Sequence, residues 1–143
     1  MAKKSSVDQL NSFLRGELAA VETYRLALDK LDPSSPARVE LDLNMSSHQE
    51  RVAMLSDAII MLGGKPATSS GPWGTFAKAV EGSARVFGDK AAVSALEEGE
   101  DHGLKDYKRD QGLDGEAQRI VADVLLPEQQ QTHDRLSALK HRL

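Results

Sequence analysis

The segment Ser6–Leu31, SVDQLNSFLRGELAAVETYRLALDKL, decides the fold class. Its apolar residues recur at steps of three and four, which is the spacing of one face of an α-helix. That inward face comprises Val7, Leu10, Leu14, Glu17, Val21, Tyr24, Leu28 and Leu31. We therefore predict a long amphipathic helix that buries one acidic residue, Glu17, among its apolar contacts.

The same spacing recurs in three later segments, so the chain is predicted to be an all-α four-helix bundle. The helix boundaries are marked by the usual signals: a Ser6–Gln9 capping box, Ser35-Pro36 before the second helix, Gly63-Gly64 after it, and Asp89 and Asp114 before the last two. We expect helices at about residues 7–31, 37–62, 89–110 and 115–142. Pro127 is expected to kink the fourth, because its ring removes one backbone hydrogen bond.

The connections between these helices predict their directions. The short turn at Asp32–Pro36 favours an antiparallel hairpin of the first two helices, and another short turn near Gly112 joins the last two. Residues 63–88 are too many for a turn, and we expect them to form a crossover with a short helix at about residues 75–86. The fold expected is therefore two antiparallel hairpins joined by one long crossover.

Composition limits the function as well as the fold. The 143 residues suit a single domain, 1–143, and a 40% hydrophobic, 4% aromatic chain suits helices better than a sandwich or barrel. A net charge of −4 favours no nucleic-acid partner, and no apolar run has the length of a membrane span. Met1–Ser6 has no apolar run behind its lysines, so we expect no signal peptide and a cytoplasmic location.

Three ionisable residues are expected to point into the bundle. At about 100° per residue, the apolar neighbours of Glu17 and His48 on their own helices lie within about 60° of each, and those of Glu100 within about 40°. Glu97 lies about 60° from Glu100 and is expected at the boundary, while His133 is expected at the edge of the apolar face of the fourth helix. Two buried acids on different helices need a compensating cation, hydrogen bonds or a shifted pKa.

Two explanations are compatible with these residues. One is a metal site, since carboxylates and imidazole on facing helices are ligands for iron or manganese. The other is a buried polar network, in which the two acids pair with His48, Tyr24, Tyr107 and Gln129. A dinuclear site normally needs two Glu-x-x-His pairs, and the positions three residues before His48 and His133 hold Met45 and Gln130, so any metal site is expected to be incomplete.

Several blocks of the sequence resemble those of an uncharacterised bacterial family of four-helix bundles, placed in the ferritin-like superfamily. They are GELAAVETY (16–24), LGGKP (62–66), SGPWGTF (70–76), EEGEDHG (97–103) and LLPEQ (125–129). The resemblance covers nearly the whole chain. It implies a ferritin-like fold, but no reaction, because the activity of that family is unsettled.

The wider superfamily includes ferritins and rubrerythrins, which bind two irons with ligands from all four helices. Carrying that pattern over implies Glu17, His48, Glu97, Glu100 and His133 as metal ligands. The predicted function is a ferritin-like bundle with a polar core cluster that binds iron or manganese incompletely or not at all, more in keeping with a non-enzyme than an enzyme. The alternatives are a metal-dependent redox or storage protein, and a stress-related or partner-binding bundle, with a homodimer as one possible assembly.

Overall fold

The computed structural model describes residues 2–71, 77–82, 88–109, 112–113 and 115–143, and this part of the chain contains helices and connections but no strand. The all-α fold class is therefore confirmed. The helices are α1 (Ala2–Lys30), α2 (Ala37–Met61), α3 (Asp89–Lys108), α4 (Gly115–Ile120) and α5 (Leu126–Arg142), with a π-helical turn at Val121–Leu125 between the last two. Residues 77–82 are also helical, within the region expected to hold a short helix.

Two helix starts differ from those expected from the capping residues. Helix α1 begins at Ala2, so Ser6 lies inside the helix and does not cap it. The residues ahead of Ser6, Ala2, Lys3 and Lys4 among them, are compatible with helix and allow the extension. Helix α3 does begin at Asp89, but the N-cap position belongs to Gly88, so Asp89 is the first helical residue and not the cap. The expected cap Asp114 lies outside the described residues.

Ser35 links the starts of α2 and α3. Its hydroxyl accepts a hydrogen bond from the backbone N–H of Ala37 at 3.2 Å and donates one to the Asp89 carboxylate. The carbonyl of Ser35 also accepts from the N–H of Arg38 at 3.2 Å. Pro36 stands at the N-cap position of α2, where its missing N–H costs no helical hydrogen bond. Asp89 therefore stabilises the packing of two helix starts.

Helix α2 ends in the manner that Gly63-Gly64 predicts. Gly63 has a φ of +82°, and the N–H of Gly64 donates back to the carbonyl of Ile59 at 2.9 Å. A Cβ on Gly64 would lie 2.5 Å from a methyl group of Val7. The glycine pair therefore both ends the helix and lets the chain pass close to α1.

The apolar core consists of two clusters that occupy opposite ends of the helices. The first joins the end of α1, the starts of α2 and α3, and the end of α5; it comprises Tyr24, Ala27, Leu28, Leu31, Ala37, Leu41, Val80, Ala92, Val93, Leu96, Leu136 and Leu139. The second joins the start of α1, the ends of α2 and α3, and the α4 region; it comprises Leu10, Phe13, Leu14, Leu55, Ile59, Tyr107, Ala117, Val121 and Leu125. Helices α1 and α2 therefore run in opposite directions, as do α3 and α5.

The π-helical turn lies directly before Pro127. The N–H of Leu126 donates to the carbonyl of Val121, five residues back rather than four. Proline has no N–H to donate and its ring crowds the preceding turn, so a wider turn at this point relieves the conflict. The structure thus has a π-helical turn directly before Pro127, the residue at which a kink was expected.

None of the described helices is both long and apolar enough to cross a lipid bilayer.

Candidate functional site: a buried polar layer

A layer of polar side chains lies between the two apolar clusters. Its residues come from α1, α2, α3 and α5, and each is 6% exposed or less. We call this set the polar layer; it comprises Glu17, Tyr24, Asn44, His48, Arg51, Glu100, Tyr107, Gln129 and Thr132. Because these groups are removed from water, each must find its hydrogen bonds inside the protein.

His48 lies at the centre of the layer, between two carboxylates. Its Nδ1 is 2.7 Å from Oε2 of Glu17, and its Nε2 is 2.6 Å from Oε1 of Glu100. A carboxylate oxygen can only accept, so both ring nitrogens must carry a proton for both contacts to be hydrogen bonds. The geometry therefore assigns a positively charged imidazolium to His48.

The pKa values of His48 and Glu100 move in opposite directions. Burial alone lowers the pKa of His48, but the charges of Glu100 and Glu17 and the hydrogen bonds to both outweigh burial and raise the pKa from 6.5 to about 9. Burial alone raises the pKa of Glu100, but the charge of His48 and the hydrogen bonds from His48, Tyr24 and Thr132 lower the pKa from 4.5 to about 2. The pair is therefore charged at neutral pH.

Arg51 supplies a second buried cation. The side chain is 1% exposed. Its guanidinium donates to Oε1 of Glu17 at 3.3 Å, to the side-chain carbonyl of Gln129, and to the Thr132 hydroxyl at 3.1 Å. It also lies 3.4 Å from Nε2 of His48, but this contact is not a hydrogen bond, since both nitrogens are donors when His48 is protonated.

The charges of the polar layer balance. The carboxylates of Glu17 and Glu100 carry two negative charges, and Arg51 and protonated His48 carry two positive ones. Buried ions are tolerated only when they are paired and hydrogen-bonded, because removing each from water costs several kcal/mol. The two cations of α2 therefore provide the compensation that the two buried acids require.

Two tyrosines hold the outer sides of the carboxylates. The Tyr24 hydroxyl donates to Oε1 of Glu100 at 2.6 Å and accepts from the Asn44 amide at 3.0 Å. The Tyr107 hydroxyl donates to Oε1 of Glu17 at 3.0 Å. Burial, and then the nearby carboxylate, raises the pKa of each phenol well above its usual value of 10. Both tyrosines are therefore neutral hydrogen-bond donors.

Two side chains of α5 supply the remaining hydrogen bonds to Glu100. The Gln129 amide donates to Oε2 of Glu100 and to its backbone carbonyl, both at 2.8 Å, and the Thr132 hydroxyl donates to the same Oε2 at 2.7 Å. This contact requires glycine at position 103, since a Cβ there would lie 2.7 Å from the Gln129 amide nitrogen. Among the described residues, no buried side-chain nitrogen or oxygen lacks a hydrogen-bond partner.

The structure brings some of the residues selected from the sequence together and separates others. Glu17, His48 and Glu100 converge, and Tyr24, Tyr107 and Gln129 contact them. Glu97 and His133 are not part of the polar layer. Glu97 accepts from Ser137 and Lys140, and His133 contacts Asp101 at 3.2 Å and Asp134 at 3.3 Å.

Helical geometry explains the two separated residues. Glu97 is one turn before Glu100 but lies on the side of α3 that faces the end of α5, where the hydrogen bond from Ser137 lowers its pKa. His133 follows Thr132 directly, so it is turned about 100° away from the layer. The superfamily ligand pattern therefore does not transfer to positions 97 and 133. Across the described residues, no three acidic or histidine side chains are grouped to hold a metal ion.

Sequence reasoning overlooked Arg51 and Asn44. Neither was selected, although Asn44, His48 and Arg51 follow one another at steps of four and three and so share one face of α2. Arginine is rarely buried unless it is paired, so an arginine on an apolar face was the available signal.

A cleft between α1 and α3 reaches the polar layer from outside. Its volume is about 620 Å³, within the range of small-molecule pockets. Its walls include Gly16, Ala19 and Ala20 of α1 and Gly99 and Gly103 of α3, and its floor includes Glu17 and Glu100. The small side chains on both helices thus leave a gap between α1 and α3, and the charged groups of the polar layer lie at its base. We call this feature the α1–α3 cleft.

Comparison with protein-family models gives no match, and comparisons with curated proteins and with solved structures give no significant match. The function therefore has to be inferred from the geometry of the polar layer and the α1–α3 cleft.

We predict that Arg51→Met destabilises the protein strongly, although methionine fills much of the same space. The substitution removes one of the donors to Glu17, leaves the side-chain carbonyl of Gln129 without its buried donor, and gives the layer a net negative charge. The free energy of unfolding should fall by about 3–5 kcal/mol, the usual cost of removing one partner of a buried ion pair. Urea denaturation at pH 7 measures it. The matched control is Arg25→Met on the exposed side of α1; equal, small effects of both variants would contradict the assignment.

We also predict that the free energy of unfolding is highest at intermediate pH and falls at both higher and lower pH, because His48 and Glu100 titrate there. Since the folded pKa of His48 is about 9 and its ordinary value 6.5, its contribution is complete below pH 6.5 and is lost as the pH rises toward 9. Since the folded pKa of Glu100 is about 2 and its ordinary value 4.5, its contribution is complete above pH 4.5 and is lost as the pH falls toward 2. Urea denaturation across this range measures the free energy of unfolding at each pH. His48→Gln should remove most of the loss of stability at alkaline pH, and the exposed control His141→Gln should not. An alkaline loss that persists in His48→Gln would belong to another group.

Proposed function

We propose that the protein is a ferritin-like four-helix bundle in which buried cations of the chain itself replace the metal centre, and that it acts by binding rather than by catalytic turnover. The observation that carries this proposal is the Arg51 guanidinium, which donates to Glu17, Gln129 and Thr132 at the centre of the bundle. A cytoplasmic location and the absence of a nucleic-acid partner belong to the same proposal.

The distribution of the polar residues supports the ferritin-like architecture. Carboxylate-bridged dimetal bundles use one glutamate from each of two helices and a Glu-x-x-His pair from each of the other two. Here α1 and α3 each contribute one inward glutamate, Glu17 and Glu100. Helices α2 and α5 each contribute an inward pair at the same spacing, His48-x-x-Arg51 and Gln129-x-x-Thr132. The side chains differ from the metal-binding set, but their positions correspond to it.

The directions of the helices support the same architecture. The starts of α2 and α3 share the first apolar cluster and their ends share the second, so these two helices run in the same direction. The end of α2 and the start of α3 therefore lie at opposite ends of the bundle. Two antiparallel pairs joined by one long crossover is the arrangement of ferritin-like folds.

The chemistry of the layer favours a structural network over a metal centre. The four carboxylates of a complete site would be neutralised by two divalent cations. The polar layer has only two carboxylates, and Arg51 and His48 already neutralise them. The Glu100 carboxylate also accepts from four side chains, Tyr24, His48, Gln129 and Thr132, which occupy the lone pairs that a metal would need.

The inward pairs also differ from those considered from the sequence. The positions three residues before the histidines are Met45, which packs against the first apolar cluster, and Gln130, which bonds the exposed Asp134. Neither faces the carboxylates. The pairs His48/Arg51 and Gln129/Thr132 do face the carboxylates. In these pairs His48 and Gln129 are the first residues, whereas the pairs considered from the sequence have a histidine as their second residue.

We predict that the purified protein is indifferent to metals. After expression with added iron and manganese, elemental analysis should give well under one metal ion per chain. Strong chelation, and addition of Fe(II), Mn(II) or Zn(II), should leave the melting temperature unchanged, because the polar layer is complete without them. Stoichiometric iron or manganese, or a melting temperature that falls on chelation, would refute the proposal and favour a redox or storage role.

A converse experiment tests the ferritin-like register. The variant His48→Glu/Arg51→His/Gln129→Glu/Thr132→His restores a Glu-x-x-His pair on α2 and on α5, beside Glu17 and Glu100. It should bind two Co(II) ions per chain, measured by titration of the visible cobalt spectrum, and cobalt should raise its melting temperature.

The matched control for that experiment is Met45→Glu/Gln130→Glu, which restores the same motif around His48 and His133. This variant should not form a two-metal site, because positions 45 and 130 face away from Glu17 and Glu100. A two-cobalt site in the control, or none in a folded quadruple variant, would show that the inward register is not that of a dimetal bundle.

A further inference from the structure

The α1–α3 cleft has more carboxylates than cations in its lining. Its carboxylates are those of Glu17, Glu98, Glu100 and Asp106. His48 is paired with Glu17 and Glu100, and Asp106 lies 3.2 Å from Arg109 and 3.5 Å from His102, which also line the cleft. Arg51, the cation that balances Glu17, lies behind the floor and does not line the cleft. Since the polar layer is neutral and Asp106 is paired, the charge that a ligand entering from solvent meets on the lining is that of the exposed Glu98 carboxylate, which favours a cation over an anion.

The floor of the cleft offers groups suited to a positive ligand. Oε2 of Glu17 accepts one hydrogen bond, from His48, and a carboxylate oxygen has capacity for a second. Phe13 and Tyr107 also line the cleft, and their rings are packed together with centroids 4.7 Å apart. An ammonium group is attracted both by a carboxylate and by the faces of aromatic rings.

The walls of the cleft suit an apolar body. Leu96, Ala19 and Ala20 line it, and a Cβ added to Gly16 would meet no atom within 4 Å. The empty space beside Gly16 thus belongs to the cleft and is not needed for helix packing. A volume of about 620 Å³ accommodates a ligand considerably larger than a single ring.

The geometry points to a binding site for a small organic cation: an amine whose ammonium group binds near Glu17, Phe13 and Tyr107 and whose apolar body lies between α1 and α3 against Gly16 and Leu96. This inference rests on the proposed function only in taking the protein to be a binding protein. It requires neither the ferritin-like assignment nor the absence of a metal.

Three probes of equal shape and different charge test the ligand class: phenethylamine, 2-phenylethanol and 3-phenylpropionate. Their dissociation constants are measured at pH 7 by NMR titration of the isotopically labelled protein. The amine should bind at least about tenfold more tightly than the alcohol, and the alcohol more tightly than the carboxylate, with shift changes confined to α1 and α3. Equal or tighter binding of the carboxylate, or no binding by any of the three, would overturn the inference.

Filling the cleft tests its location. Gly16→Leu extends into the empty space and should weaken amine binding by about tenfold or more, while the melting temperature holds or rises because leucine favours helix over glycine. The control Ala53→Leu places a leucine on the exposed side of α2 and should leave the dissociation constant unchanged. An unchanged constant in Gly16→Leu would place the amine elsewhere.

Reversing one rim charge tests the electrostatic part. Glu98→Lys should weaken binding of the amine by about threefold, as expected for an exposed charge, and leave binding of the alcohol unaltered. Glu50→Lys, an equal charge change on the exposed side of α2, is the control. If both variants act alike, the cleft lining does not select the cation.

The outcomes separate the two proposals. Failure of the amine to bind, with metal indifference intact, removes the ligand assignment and leaves the charge-balanced bundle. Stoichiometric metal in the wild-type protein removes the proposed function, and amine binding that is sensitive to Gly16→Leu would still establish the cleft as a site.

Discussion

The bridging of Glu17 and Glu100 by the His48 imidazolium is the interaction on which the structure depends. It joins α1, α2 and α3 through hydrogen bonds of 2.7 and 2.6 Å between groups that are almost completely buried. Neither acid would be tolerated at this depth without a cation, and one imidazolium does not neutralise two carboxylates. Arg51 supplies the remaining charge, and its contacts to Gln129 and Thr132 extend the network to α5.

A polar layer between two apolar clusters fixes how the helices align. Apolar side chains alone tolerate sliding and rotation, since one hydrophobic contact resembles another. Directional hydrogen bonds among four helices tolerate less sliding, because a shift would leave buried donors and acceptors unpaired. Paired charges and hydrogen bonds can thus specify the packing of a bundle, at the cost of burying four ionised groups.

Helical periodicity was sufficient to place Glu17, His48 and Glu100 together, because burial of a residue follows from its angular position among apolar neighbours. It also selected the tyrosines and Gln129 that satisfy them. It did not yield Arg51, since a long cationic side chain is ordinarily assigned to solvent and its burial depends on partners from α1 and α5. Glu97 and His133 were selected through a superfamily ligand pattern, and the angular offset of each from its inward neighbour separates them from the layer. The start of α1 was misplaced because Ser6 can cap a helix but need not.

The π-helical turn at Val121–Leu125 has a consequence for the last helix. The buried residues Ala117, Val121, Leu125 and Gln129 follow one another at steps of four, which in a regular α-helix would spiral around the axis by about 40° at each step. A turn containing an additional residue cancels much of that drift. The π-helical turn ahead of Pro127 therefore corrects the rotation of the last helix. As a result, one side of that helix carries buried apolar residues near its start and, further along, the amide and hydroxyl groups that donate to Glu100.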